Sequence, residues 1–512
     1  EPARPAATLT LLALSVGALV FAAAYGATVR TGIADGAAFE TGADLRVAES
    51  GTGLILSGTV VPVDRYAALG PGVEAWPVLH RTTRVEPAGV VTLLGIDPAS
   101  VDRLAGWRAD FSQLSAAEIG RRVAVSGDFS IPGHRLASGR LGFDLTLEGD
   151  PVKLHAIVAA PDGDFSDIFL GTFLAGRSRI DVALPAELAG GSVVGLRASD
   201  SLIVAGPSHP GSLGTSTLRF RGLDGLTADD QPVEATVVGT VAKLIRAPFA
   251  TDDLILPAVV SPDVAALAAP DGTLSMPIGA AVVRIHVAGV ASRFPTVDGA
   301  NGSFVVAAYD PLLMAINGAF PGAGHPDEMW IRTADDATTD RVVAALSRAP
   351  FRPATITDRA ALVADRTADP FAASLAGALL AAALTGLTLA AAGLALGVVA
   401  DLRDEAGDLA DLETMGTPPS TLRSLIQART VVLAAGGIAA GLLAGTVLTA
   451  VTTSSLALAA GATVAVPELR IVLPWATLAL IAIAPLLAAI GLVMVLSRRG
   501  RWAAAAPVGR LR

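Results

Sequence analysis

Two grains of hydrophobic pattern alternate along this chain. Four runs, residues 5–29, 371–400, 430–451 and 471–497, are continuously apolar and contain no Asp, Glu, Lys, Arg or His. Each reaches the ~20 residues that a helix needs to cross a bilayer. Between residues 30 and 370 the pattern breaks into short runs of Val, Ile, Leu and Phe separated by Gly, Pro and Asp, which predicts strands and turns. Strands are expected at 90–96, 233–241, 282–290 and 304–308, and a strand, helix and strand at 329–332, 338–347 and 354–357, so this domain is expected to be α+β. From Leu141 onward the chain alternates with period two: Phe143, Leu145 and Leu147, then Val152, Leu154 and Ala156, then Ile180, Val182 and Leu184. That alternation predicts a β-sandwich inserted over residues 141–230.

The expected fold class is therefore a membrane α-helical protein with four transmembrane helices and a large α+β extracytoplasmic domain. Its segments are a first span at 1–29, a domain core at 30–140 and 231–370 around the insert, and a three-helix region at 371–512. The first run exceeds the ~7 to 15 apolar residues of a signal peptide, so it is expected to be retained.

Charge orients the helices. Arg498, Arg499, Arg501, Arg510 and Arg512 follow the last run with no acid among them, and Arg403, Arg423 and Arg429 lie between the second and third runs. Both segments are expected in the cytoplasm, which leaves the large domain outside. Trp475 and Pro474 then open the last helix at the outer interface.

The segment between the second and third runs is the most specific. Leu402, Ala406, Leu409, Leu412 and Met415 form one stripe of a helix whose other faces carry Asp404, Glu405, Asp408, Asp411 and Glu413. Gly416 is placed to end that helix, Thr417 to cap the next, and Pro418 to take its first position. The second helix, 418–427, carries Leu422, Arg423, Leu425 and Ile426 and runs into the third span. Within the membrane, Gly437, Gly441 and Gly445 stand four apart, as do Gly393 and Gly397 on the second span. Such spacing lets backbones approach closely, against each other or against a second unit of the same kind.

A long helix, a Met-Gly turn, a short Leu/Arg helix and a Gly-rich span resemble the FtsX and MacB permease family of ABC transporters. The order of one span, a large external domain and three more spans is similar too, and residues 93–97 (LLGID) and 289–296 (GVASRFPT) look like stretches in its members. The acid-rich helix and the start at Glu1 resemble the C-terminal half of a long two-unit member. Pro418, Pro419 and Ser420 stand where many members carry basic residues, and Arg429 where a Glu is expected. The resemblance implies a multi-pass protein of the bacterial plasma membrane with a cytoplasmic C-terminus. Its 418–427 helix would dock on a cytoplasmic ABC ATPase, which holds the ATP and Mg, while this chain holds no cofactor. Its motion would export or extract a lipid, lipoprotein, peptide or drug-like substrate. Two other functions fit the same pattern: switching an extracytoplasmic partner such as a cell-wall hydrolase, and a membrane-anchored binding or sensor role.

Composition narrows the field. The net charge of −10, with Lys153 and Lys243 the only lysines, gives no basic field for a nucleic-acid backbone. There is no cysteine for disulfides or thiolate metal sites. Neither lysine follows a Walker A glycine pattern, and neither H-E-x-x-H nor G-x-S-x-G occurs, so no catalytic or nucleotide site is expected. Asp162, Asp164 and Asp167 are expected to form a polar turn rather than a calcium site. Spans without ionisable residues also argue against a proton- or ion-driven carrier.

Overall fold

The computed structural model describes residues 3–499 apart from 50–60, 62, 138, 162–164, 201–214, 227–231, 237–242, 280, 298–301, 352–353, 369, 405–417 and 460–466. The chain divides into two compact units, one formed by Glu1–Ala37 with Ala360–Arg512 and the other by Ala38–Arg359.

The Ala38–Arg359 unit begins with the last turn of helix α1 (Ala3–Thr41) and is built on a nine-stranded mixed sheet. Its strands are β1 (Leu45–Glu49), β2 (Val73–Val85), β3 (Gly89–Ile96), β13 (Leu256–Val260), β14 (Thr273–Ile278), β15 (Ala281–Val290), β16 (Phe304–Ala308), β17 (Glu328–Thr333) and β18 (Ala354–Asp358). They lie in the order β14-β15-β13-β16-β3-β2-β17-β1-β18. Only β13 with β15 and β16 with β3 run parallel; the other neighbours are antiparallel. The sheet is covered by α2 (Val63–Ala67), α3 (Ala116–Val123), α4 (Pro262–Ala265), α5 (Tyr309–Ala319) and α6 (Asp336–Leu346), and is followed by α7 (Arg359–Thr367). Local sequence sets these helices. Ser115 accepts from the Glu118 amide at the start of α3, and Asp335 accepts from the Thr338 amide at the start of α6. The expected strand-helix-strand near the end is β17-α6-β18, but it is split: β1 lies between the two strands and pairs with both.

The insert is a sandwich. One sheet has the order β11-β10-β5-β8, from β5 (Arg140–Gly149), β8 (Gly176–Ala183), β10 (Thr215–Arg221) and β11 (Pro232–Thr236). The other has the order β12-β9-β6-β7, from β6 (Val152–Ala159), β7 (Phe165–Phe173), β9 (Ser192–Asp200) and β12 (Lys243–Ile245), with β4 (His134–Arg135) also on β9. The alternating residues of the sequence line its core: Phe143, Leu145, Leu147, Val152, Leu154, Ala156 and Ile180 are buried together. Its limits differ from expectation. The sandwich extends from His134 to Ile245 rather than 141–230, because short strands at both ends complete one sheet. The strand expected in the domain core at 233–241 is, over 232–236, the sandwich strand β11, with Val233 opposite Leu218; residues 237–241 lie outside the described ones.

The other unit contains most of α1 together with α8 (Pro370–Asp404), α9 (Pro419–Ala459) and α10 (Trp475–Arg499). Among the described residues, two helices are long and apolar enough to cross a membrane, Leu9–Thr41 and Gln427–Thr452, and shorter apolar stretches occur at Leu380–Gly393 and Trp475–Gly491. Helix α1 does not stop at residue 29 as expected. It continues to Thr41, where Gly42 takes a left-handed conformation (φ 68°) and its amide returns to the Ala38 carbonyl at 2.9 Å.

Candidate coupling segment, helix seam and foot of the first helix

Of the residues expected to couple to an ATPase, Thr417 and the preceding acidic helix from Glu405 lie outside the described residues; α8 is helical as far as Asp404. Pro418 is exposed and stands just before α9, its carbonyl accepting from Thr421 N–H at 2.9 Å. Pro419, rather than Pro418, opens the helix. Leu422, Arg423, Leu425 and Ile426 occupy its first two turns. The short helix and the third span it was expected to run into form one helix of 41 residues. At ~1.5 Å per residue it is about 60 Å long, roughly twice the ~30 Å hydrocarbon thickness.

Three glycines of α9 form a seam with α1. A Cβ at Gly437 would stand 3.2 Å from Leu12 Cβ, one at Gly441 2.7 Å from the Ala13 carbonyl oxygen, and one at Gly445 2.6 Å from the Gly17 carbonyl oxygen. At Gly441 and Gly445 no real side chain tolerates such distances to backbone, so only glycine permits the approach there. The contacts advance together along both helices, so α1 and α9 run parallel. Ala434 and Ile438 bury against the same face as Leu12, Val16 and Val20. Helix α8 meets α1 at Gly386, where a Cβ would lie 2.9 Å from Ser15 Oγ. Beyond the seam, Thr28 Oγ1 accepts from Val472 N–H at 3.0 Å, so the segment leading into α10 sits beside the later turns of α1. Gly393 faces open space, and Gly397 lies on the same helix. Gly393 therefore does not meet the three α9 glycines, which belong to α1.

Because the chain has no cysteine, an introduced pair reports on the seam alone. Leu12→Cys with Gly437→Cys places the two Cβ atoms near disulfide range and should crosslink under mild oxidation, with linked peptides identified by mass spectrometry. Adding Gly441→Leu should cut the yield several-fold, since the new side chain meets the α1 backbone. A full yield in the triple variant would mean that the seam is placed wrongly.

The foot of α1 was not foreseen in the sequence. Its last turn is held by distant segments of the Ala38–Arg359 unit. Thr296 N–H donates to the Phe39 carbonyl at 2.7 Å, Ala105 N–H to the Gly42 carbonyl at 2.9 Å, and Arg46 Nη1 to the Glu40 carbonyl at 3.1 Å. Thr296 does this with φ 69°, a left-handed conformation that β-branched residues avoid. Phe39 packs edge-on to Phe111, which packs on Trp107, which in turn meets Phe294. Gly106 (φ 77°) passes so close that a Cβ would lie 2.5 Å from the Phe39 nitrogen.

Arg46 also anchors the most buried charge cluster described in this unit. Its Nε donates to Glu328 Oε2 at 2.8 Å and its Nη2 to Oε1 at 2.5 Å, and Trp330 Nε1 donates to Oε2 at 2.9 Å. His80 Nδ1 lies 2.9 Å from both Glu328 Oε1 and Arg46 Nη2, so it donates to the carboxylate in one protonation state or accepts from the guanidinium in the other. Burial alone would raise the Glu328 carboxyl, but hydrogen bonds from His80 and Arg46 outweigh it and hold it at about 2.

No protein-family model matches the chain, and no curated protein matches it.

Among the described residues no group of three or more His, Cys, Asp or Glu side chains is placed to hold a metal. Asp167 is engaged by His155, at 2.8 Å, and by Arg197, while Asp162 and Asp164 lie outside the described residues.

Proposed function

We propose that this chain is the permease subunit of an ABC-type transporter in a bacterial plasma membrane. In this reading α1, α8, α9 and α10 cross the bilayer, the Ala38–Arg359 unit lies outside, and the C-terminus is cytoplasmic. A separate ATPase, carrying ATP and Mg, moves the first turns of α9, and a second permease unit and membrane lipid surround the helices. The cargo is a lipid, lipoprotein, peptide or drug-like molecule.

The observation that carries this reading is the unbroken run of α9 from its Leu/Arg turns into the glycine seam with α1. A displacement at the surface end of a continuous helix reaches the seam undiminished, because no loop intervenes to absorb it. Parallel packing of α1 on α9, with the α9–α10 connection beside the later turns of α1, supports the alternation that four spans require. Leu14, Leu396, Leu443 and Leu480, one from each long helix, all expose more than half of their surface, which suits contact with acyl chains.

Leu422→Asp with Leu425→Asp should leave insertion intact and abolish capture of the ATPase when the full chain is purified in mild detergent, with ATP hydrolysis falling at least tenfold in whatever complex remains. Recovery of an ATPase at the same yield would move the contact elsewhere, and recovery of none with the unmodified chain would sink the driven reading.

A further inference from the structure

The chain passes between its two units at two places, the foot of α1 and the start of α7. These crossings are neighbours. Strands β1 and β18 are adjacent and antiparallel, and Leu45 is opposite Asp358. Asp44 ties them together. Its carbonyl accepts from Arg359 N–H at 3.0 Å, its Oδ1 lies 2.6 Å from Arg359 Nη2, and its Oδ2 accepts from Thr333 N–H at 2.9 Å. One carboxylate thus joins the first connector, the second connector and the end of β17.

The two connectors are held very differently. The foot of α1 is bonded by segments around Arg46, Ala105 and Thr296 and is wedged among aromatic rings. Among the described residues, strand β18 is the outermost of nine, and none of the residues of α7 is buried. An edge strand belongs to the low-stability end of a domain.

We propose that Asp44 is a latch: it holds the end of β18 at Arg359 against the α1–β1 connector and the end of β17, and its release frees β18 from the sheet edge while the foot of α1 stays fixed. With the latch closed, a movement arriving at Arg359 acts on β1 and β17 together with β18; with it open, the same movement spends itself on β18 alone. This use of the latch rests on the permease reading, but the latch itself does not.

Hydrogen exchange of the full chain in nanodiscs tests it without any ATPase, so failure here leaves the permease reading standing, and loss of the permease reading leaves the latch testable. Asp44→Asn keeps the shape and an acceptor for Thr333 but removes the charge; Arg359→Gln removes the other partner and leaves Asp44 on Thr333. Both should speed exchange of the amides of 355–359 by about tenfold, leaving β1, β2 and β17 as protected as before. Unchanged exchange in both variants overturns the proposal. So does faster exchange spread evenly over β1, β17 and β18, which would make Asp44 an ordinary stabilising residue. If Asp44→Asn does not fold, Arg359→Gln alone decides.

Discussion

Gly106→Ala should destabilise the Ala38–Arg359 unit by about 4 kcal/mol, one of the largest effects available to a single methyl group in this protein. Two costs combine. The backbone at Gly106 has φ 77°, where a Cβ is strained by ~1 to 2 kcal/mol. The added carbon would also lie 2.5 Å from the Phe39 nitrogen and 2.6 Å from the Ala38 carbonyl carbon. Those atoms belong to a helix turn fixed by Thr296, Ala105 and Arg46, so relief requires moving either the helix or the Trp107–Phe111 cluster. Denaturant unfolding followed by the emission of Trp76, Trp107 and Trp330 measures the change. A loss under 1 kcal/mol would show that the foot of α1 yields easily and is not a fixed attachment.

Glu328→Gln should cost about 3 kcal/mol at neutral pH and remove most of one pH-dependent component of stability. The carboxyl is held at about 2 against an ordinary 4.5. Its folded value is depressed, so its contribution is fully present above about pH 4.5 and is lost as pH falls toward about 2. The difference corresponds to about 3 kcal/mol. The amide retains the shape but leaves the Arg46 guanidinium, largely withdrawn from water, without its counter-charge. Unfolding midpoints of the two proteins should therefore differ most at neutral pH and converge between pH 4.5 and 2. Parallel curves over that range would remove the charged pair from the account.

The reach of the sequence can be argued from particular residues. The sandwich was legible because Phe143, Leu145 and Leu147 alternate along one strand, a local signal that survives folding unchanged. Its ends were not, since β4 is two residues long and owes its place to β9, and nothing in the strand expected at 233 says that it pairs with β10 of the sandwich. The extension of α1 did leave a trace: no proline interrupts the chain from residue 30 to Gly42, which caps the helix, although Arg30 ends the apolar run. The glycines of α9 were visible as a spacing, but a spacing does not name its partner, and only the fold assigns them to α1. Arg46, His80 and Glu328 left no trace at all. They are brought together by the order of β1, β17 and β2, and nothing near any one of them foretells the others.

The sandwich is attached in a way that bears on how such a chain changes over generations. Its first strand, β4, and its last, β12, both lie against β9, with Arg135 opposite Ser192 and Ile245 opposite Leu196. The insertion begins at His134, opposite Val193, and ends at Ile245, so it leaves and rejoins the rest of the domain at points three residues apart on one strand, about 10 Å at ~3.4 Å per residue. A gene could lengthen, shorten or exchange the whole module without re-threading a single strand of the nine-stranded sheet. The insert can thus diversify quickly, while the nine-stranded sheet that carries it is inherited unaltered.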